Sequence, residues 1–129
     1  MQANANAPGH SRRVLVVDDH VASGDLLLEI LSMEGYAVRV ARCGRDAVAM
    51  AREFKPYIAL LDVGLPDMNG FALARLLKAD PQLQQIRLVA LSGYAQAADA
   101  EHARLKSFDH YLVKPVDVEQ LLSVLQSLS

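Results

Sequence analysis

Three short stretches of this chain are almost wholly apolar: VLVV at 14–17, YIALLD at 57–62 and RLVALS at 87–92. Each is too short for a helix and each reads as a strand buried on both faces. The segments between them carry a different period. After residue 20 a helical pattern places Leu27, Ile30 and Leu31 on one face and stops near Gly35, a residue suited to ending a helix. AVRVA (37–41) reads as a further strand, and Arg45 to Lys55 as a helix. Phe71 to Ala79 is helical and is stopped by Asp80-Pro81. Ala97 to Lys106 is helical, HYLV (110–113) is a short strand, and Val118 to Leu128 is a last helix. Strand and helix thus alternate through five units, which implies an α/β architecture: a parallel sheet with helices on both faces, joined by right-handed crossovers.

The three apolar runs belong at the centre of that sheet. Arg39 places the 37–41 strand at an edge, which favours the order 2-1-3-4-5, a doubly wound, flavodoxin-like (βα)5 arrangement. A chain of 129 residues, 52% of them hydrophobic, fits one domain and buries about two-thirds of its extended surface. Residues 1–12, rich in Asn and Ala with Gly, Pro and Ser, read as a disordered tail or linker remnant, and 13–129 as the domain. The net charge of −2 gives no electrostatic footprint for nucleic acid or an anionic membrane. The opening MQANANAPGHSRR lacks the apolar core of a signal peptide, and no apolar run approaches the ~20 residues of a membrane span, so a cytoplasmic protein is expected. Cys43, the single cysteine, excludes an internal disulfide and reads as a small half-buried hydrophobe.

In an open parallel sheet, ligands sit beyond the carboxyl ends of the strands, where strand order reverses. Strand 1 ends in Asp18-Asp19, strand 3 in Asp62, strand 4 in Ser92 and strand 5 in Lys114-Pro115. Three carboxylates on one rim repel one another, and one lysine does not neutralise them. Oxygen donors without histidine or thiolate spacing point to a hard divalent cation, Mg²⁺ above all. A carboxylate beside a metal and a lysine is a covalent phosphoryl acceptor. On this reading Asp62 attacks phosphorus, Asp18 and Asp19 hold the metal, and Lys114 and Ser92 bind phosphoryl oxygens. Taken singly, Asp19 is a helix cap, Asp62 a turn residue and Lys114 a solvated lysine. Their convergence on one rim is what favours the functional reading.

VVDD (16–19), LLDVGLPDMNG (60–70), ALSGY (90–94) and YLVKP (111–115) together resemble, in order and spacing, the signature of the CheY-like response-regulator receiver family of two-component systems. The resemblance covers about residues 13–129. It implies Asp62 as phosphoacceptor, Asp18, Asp19 and the Gly64 carbonyl as metal ligands, and Ser92 and Tyr111 as switch residues. It also implies a cis Lys114-Pro115 bond that turns the ammonium toward the site. The implied partner is a histidine kinase or histidine phosphotransfer protein. Ser107 departs from a frequent family glycine, and Gly64 and Tyr94 occupy positions that tune phosphoryl lifetime in the family. SGYAQ (92–96) with FDHYLVKPVD (108–117) resembles the receivers of hybrid histidine kinases, a setting favoured here over a stand-alone regulator.

Two other functions share parts of this pattern. A haloacid-dehalogenase-type phosphatase expects a second Asp two residues after the nucleophile, where this chain has Gly64. A flavin module needs a phosphate loop after strand 1, where Asp18-Asp19 would repel phosphate, and no G-x-G-x-x-G is present for a dinucleotide. The four histidines show no ligand spacing and read as solvated or partly packed, with His20 notable for following the acidic pair. On a helical wheel from Val21 to Glu34, Val21 and Leu28 fall opposite the core stripe with Asp25 between them. In the receiver family this helix packs on the phosphodonor, so Val21 and Leu28 are expected to seat it.

Overall fold

The chain's computed structural model describes residues 12–93 and 108–128. Strand β1 (Arg13–Val17) lies between β2 (Ala37–Ala41) and the central strand β3 (Ile58–Asp62), with β4 (Arg87–Ser92) and β5 (His110–Val113) beyond. The order β2-β1-β3-β4-β5, with every pair parallel, is the expected one. The strand bearing Arg39 is at an edge, where alternate residues meet solvent. Four helices are described: α1 (Val21–Met33), α2 (Gly44–Phe54), α3 (Gly70–Ala79) and α4 (Val118–Leu128). The helix expected at 97–106 lies outside the described residues, as do Tyr94 and Ser107.

The chain runs from β1 outward to β2, then back across β1 to β3. Right-handed crossovers therefore put α1 on one face of the sheet and α2 and α3 on the other. The core divides accordingly, because alternate strand residues point to opposite faces. Val14, Val16, Ile58, Leu60, Val89 and Leu91 pack with Leu27 and Leu31 of α1 and Leu121 and Leu125 of α4. Leu15, Val17, Ala59, Leu61, Leu88 and Ala90 pack with Ala47 and Ala51 of α2 and Leu73, Ala74 and Leu77 of α3. The second face is the alanine-rich one. Leu60 is wholly buried in the middle of the sheet. Truncating it to Ala would cost about 2–5 kcal/mol.

Helix ends follow the local sequence. Gly35, at φ +92°, ends α1: its N–H donates to the Ser32 carbonyl and that of Tyr36 to the Leu31 carbonyl, while Tyr36 and Leu31 pack in the same core. Arg12, the last residue assigned to the tail, lies with its guanidinium 4.3 Å from the Tyr36 ring centre and donates to the Glu34 carbonyl. α2 begins at Gly44 and ends before Lys55, which adopts a left-handed φ of 52°. α3 begins one residue earlier than Phe71, because the Asn69 side chain accepts from Ala72 N–H and caps it there.

The α1 wheel needs correction. Val21 is 58% exposed, but Leu28 is half-buried, and the other exposed large apolar residues of the helix are Leu26 at 55% and Met33 at 81%. Gly24, one turn before Leu28, is buried so close to β2 that an added Cβ would come within 3.1 Å of Val40 Cγ1. Leu28 follows on that side of the helix and is covered. Ile30, placed in the core stripe from sequence, is also half-buried and lines a groove with Leu26 and Leu27. The helix is flanked on both sides, by β2 and by the segment after β5, and the wheel takes account of neither.

Candidate functional site

The carboxyl ends of β1, β3, β4 and β5 bring the expected side chains together. Carboxylate oxygens of Asp18, Asp19 and Asp62 all lie within 4.8 Å of one another. Lys114 Nζ is 3.1 Å from Asp62 Oδ2 and 3.4 Å from Asp18 Oδ2. Asp18 is fully buried, Asp62 is 7% exposed and Asp19 is exposed. The ladder fixes this convergence. The Val63 amide donates to the Leu91 carbonyl, extending the β3–β4 pairing one residue past Asp62. The Lys114 amide donates to the Ser92 carbonyl, aligning the ends of β4 and β5, and the Lys114-Pro115 bond is cis.

The loop after Asp62 turns back sharply. The Gly64 amide donates to Asp62 Oδ1 at 3.0 Å, and the Gly70 amide to the Val63 carbonyl at 2.8 Å. A Cβ on Gly70 would stand 2.8 Å from both the Asp62 carbonyl oxygen and Val63 Cα, so this approach of α3 to the acceptor strand requires glycine. Asp19 does not cap α1. The N-cap is His20, whose side chain makes no capping bond, and the His20 amide donates instead to Asp18 Oδ1 at 2.9 Å. His20 itself is exposed and its Nδ1 lies 3.4 Å from Ser23 Oγ.

The electrostatics are unbalanced. Burial pushes the Asp18 carboxyl above its ordinary range, and the nearby Asp62 adds to the rise, against the opposing pull of the His20 amide and Lys114. For Lys114, burial disfavours the charge, but the hydrogen bond and charge of Asp62, with the charge of Asp18, outweigh it and raise its pKa. Lys114 thus stays an ammonium, serving two carboxylates, with a third beside them. Ser92 is fully buried and among the described residues its Oγ has no hydrogen-bond partner. A buried hydroxyl without a partner costs about 1–3 kcal/mol unless a bound group meets it. An oxygen-only cluster with excess negative charge and a spare hydroxyl fits a hard divalent cation together with an oxyanion.

Ser92 and Tyr111 lie on the same face of the sheet. Ala90, two residues before Ser92, pairs in register with Tyr111, and both pack in the alanine-rich core. The Tyr111 ring is half-buried, 5.5 Å from the Phe108 ring, which in turn meets Phe71 edge-on at 5.7 Å.

Similarity to known proteins agrees with this geometry. Residues 14–126 match the model of the response regulator receiver domain. The chain belongs to this family. It is 28% identical over 117 residues to the polar-differentiation response regulator DivK of Brucella ovis, covering 91% of this chain and 95% of DivK. Among solved structures, the CheY-like receiver domain from Methylobacillus flagellatus is 31% identical with a TM-score of 0.83, covering 92% and 98% of the two chains. The receiver domain of a signal transduction histidine kinase from Syntrophus aciditrophicus is also 31% identical, with a TM-score of 0.80 over 90% and 88%. The chain is therefore a receiver domain of two-component signalling, a class that works with histidine kinases or phosphotransfer proteins.

Sequence reasoning missed one residue of this rim. Asp67, in the loop between β3 and α3, accepts hydrogen bonds from the Gly44 and Arg45 amides at the start of α2. The available signal was the start of α2 itself, where Cys43-Gly44 offers no side chain of the usual capping type.

Proposed function

We propose that this receiver accepts a phosphoryl group on Asp62 from the phosphohistidine of a histidine kinase or histidine phosphotransfer protein. The carrying observation is exposure: Asp18 and Asp62 both touch Lys114, but Asp18 is wholly covered, while Asp62 keeps 7% of its surface open at the centre of the rim. Asp18, Asp19, Asp62 and the Gly64 carbonyl would hold Mg²⁺, which supplies charge neutralisation for the transferring group. An Asp62 oxygen forms the new P–O bond as the P–N bond breaks, the bonding pair remaining on the donor imidazole nitrogen. Lys114 and the Ser92 hydroxyl bind the phosphoryl oxygens. Hydrolysis of the acyl phosphate restores the resting carboxylate.

Readout is assigned to Ser92 and Tyr111: the hydroxyl moves to the new oxygens and the ring follows on the same face, driven by a local charge change of about −1 as the carboxylate becomes a dianionic acyl phosphate. Val21 and the exposed Leu26 seat the donor, and Leu28, half-buried beside β2, is not part of that surface. A groove of about 430 Å³ lined by Leu26, Ile30, Val116 and Val118 runs from Leu26 to Lys114. The setting is the cytoplasm. The described residues include no helix long and apolar enough to cross a membrane. A hybrid-kinase receiver, favoured by SGYAQ and FDHYLVKPVD, is supported by the Syntrophus aciditrophicus relative, and a stand-alone regulator by DivK. The mass of the native protein on an immunoblot decides between them.

The test of the central reading is labelling with acetyl phosphate and Mg²⁺, read by intact mass. Wild type should gain one phosphoryl group and Asp62→Asn none. Equal labelling of the Asn variant would overturn the assignment.

A further inference from the structure

The start of α2 is capped from another part of the chain. Its N-cap, Cys43, makes no side-chain hydrogen bond, which leaves the first amides of the helix to find partners elsewhere. Asp67 provides them from the loop after the acceptor strand: Oδ1 accepts from Gly44 N–H at 2.8 Å and Oδ2 from Arg45 N–H at 2.9 Å. The next residue reinforces the contact. Met68 lies so close to Gly44 that an added Cβ there would come within 2.5–2.9 Å of Met68 Cγ, Sδ and Cε. The same end of α2 is fixed to the acidic pair, since the Asp18 amide donates to the Ala41 carbonyl just before it. A circuit results: Asp62 and Gly64, the loop, Asp67, the α2 N-terminus, Ala41 and Asp18. Lys114 closes the same two ends from inside the rim.

We infer that Asp67 is a positioning residue, whose twin hydrogen bonds to α2 hold the acceptor loop so that Gly64 and Asp62 keep their separation from Asp18 and Asp19. This rests on the Mg²⁺-dependent reading above and adds a residue to it that touches neither metal nor phosphoryl group. A plain helix cap would stabilise α2 just as well from position 43. The tether exists only because the cap comes from the loop. Both carboxylate oxygens are engaged, so the loop is held against rotation as well as translation.

Cys43 has the extended backbone of an N-cap (φ −153°, ψ 168°), so a serine there can cap α2 locally. The experiment compares wild type, Asp67→Ala, Cys43→Ser and the double variant, following thermal unfolding and Mg²⁺ titration by amide shifts of residues 62–64. Asp67→Ala should weaken Mg²⁺ binding about tenfold, as removal of a supporting residue around a metal site does. The double variant should recover thermal stability yet keep the weakened binding, and Cys43→Ser alone should bind as wild type. Asp67→Asn, which keeps one acceptor oxygen, should fall between. Wild-type Mg²⁺ affinity in Asp67→Ala, or its return in the double variant, would overturn the positioning role. Absence of Mg²⁺ binding in wild type would overturn the proposed function and this inference with it.

Discussion

The two ends of the sheet are built from the same alternation of strand and helix, yet they treat charge in opposite ways. At the amino end, several charged groups have their own partners, and the exception among the described residues is Arg13, whose buried Nε makes no hydrogen bond. Asp109 Oδ2 accepts from the Leu88 amide at 2.8 Å, Arg52 pairs with Asp80 at 2.9 Å, and Lys78 Nζ donates to the Ile86 carbonyl at 2.6 Å. At the carboxyl end, one ammonium serves two buried carboxylates, a third stands beside them, and the Ser92 hydroxyl has no partner among the described residues. The amino end is arranged for stability. The carboxyl end keeps polar groups under strain that a cation and a phosphoryl group would relieve. Substitutions that remove charge should therefore have opposite consequences at the two ends.

The largest effect is on chemistry. Asp62→Asn should abolish labelling by acetyl phosphate, whereas Asp109→Ala should leave its rate unchanged, as intact mass against time will show. Loss of labelling in both would mean that the two ends are not independent. Next comes stability at the amino end. Asp109→Ala leaves the Leu88 amide without its acceptor in the core-facing ladder and should cost about 1–3 kcal/mol in urea unfolding. A neutral result would remove the amino end's claim to be the structural one.

The carboxyl end should respond with the reverse sign. Asp18→Asn takes a charge out of a fully buried position whose carboxyl is already pushed upward, and should stabilise the metal-free protein by about 1 kcal/mol. The same change should erase the stabilisation that Mg²⁺ gives wild type, which at tenfold excess over its Kd is about 1.4 kcal/mol. A destabilised Asp18→Asn variant would show that the Lys114 contact matters more than the burial of charge. Ser92→Ala should likewise be neutral or stabilising by up to about 1 kcal/mol, because the hydroxyl it removes has no partner among the described residues.

Most of this contrast is legible in the sequence, for a simple reason. A strand buried on both faces must be apolar, so the polar residue that ends VLVV or YIALLD marks the sheet's rim directly. Four such endings point to one rim without any knowledge of packing. Strand order was less directly legible: Arg39 identified one edge, and the rest came by analogy with doubly wound sheets. What failed depended on neighbours distant in sequence. The wheel put Leu28 in solvent because it holds no information that Gly24 presses against Val40. Ile30 went to the core because the segment after Lys114, which makes a groove beside it, comes 85 residues or so later in the chain. Asp67 was overlooked because its partners, Gly44 and Arg45, lie on the preceding helix, and a carboxylate after Pro66 reads locally as a turn residue.

The smallest effect is in pH dependence, where the two ends should pull in opposite directions. Asp80 is held below its ordinary value of 3.8 by the Gln82 amide and Arg52. Its folded form binds a proton less readily than its unfolded form, so its contribution is present above 3.8 and is lost as pH falls through the lower folded value. Asp18 is raised above 3.8 by burial, so in metal-free protein stability is lost as pH rises from 3.8 through the raised value. Thermal midpoints measured from pH 2 to 7 should show Asp80→Asn losing its deficit against wild type at the acid end. Asp18→Asn should gain on wild type as pH rises, and the gain should shrink when Mg²⁺ is added to the wild type. Asp80 is partly covered but its partner Arg52 is exposed, so its effect should weaken in high salt, while the buried Asp18 effect should persist. Parallel slopes for the two variants would mean that the sheet's ends do not differ in the way their hydrogen bonding implies.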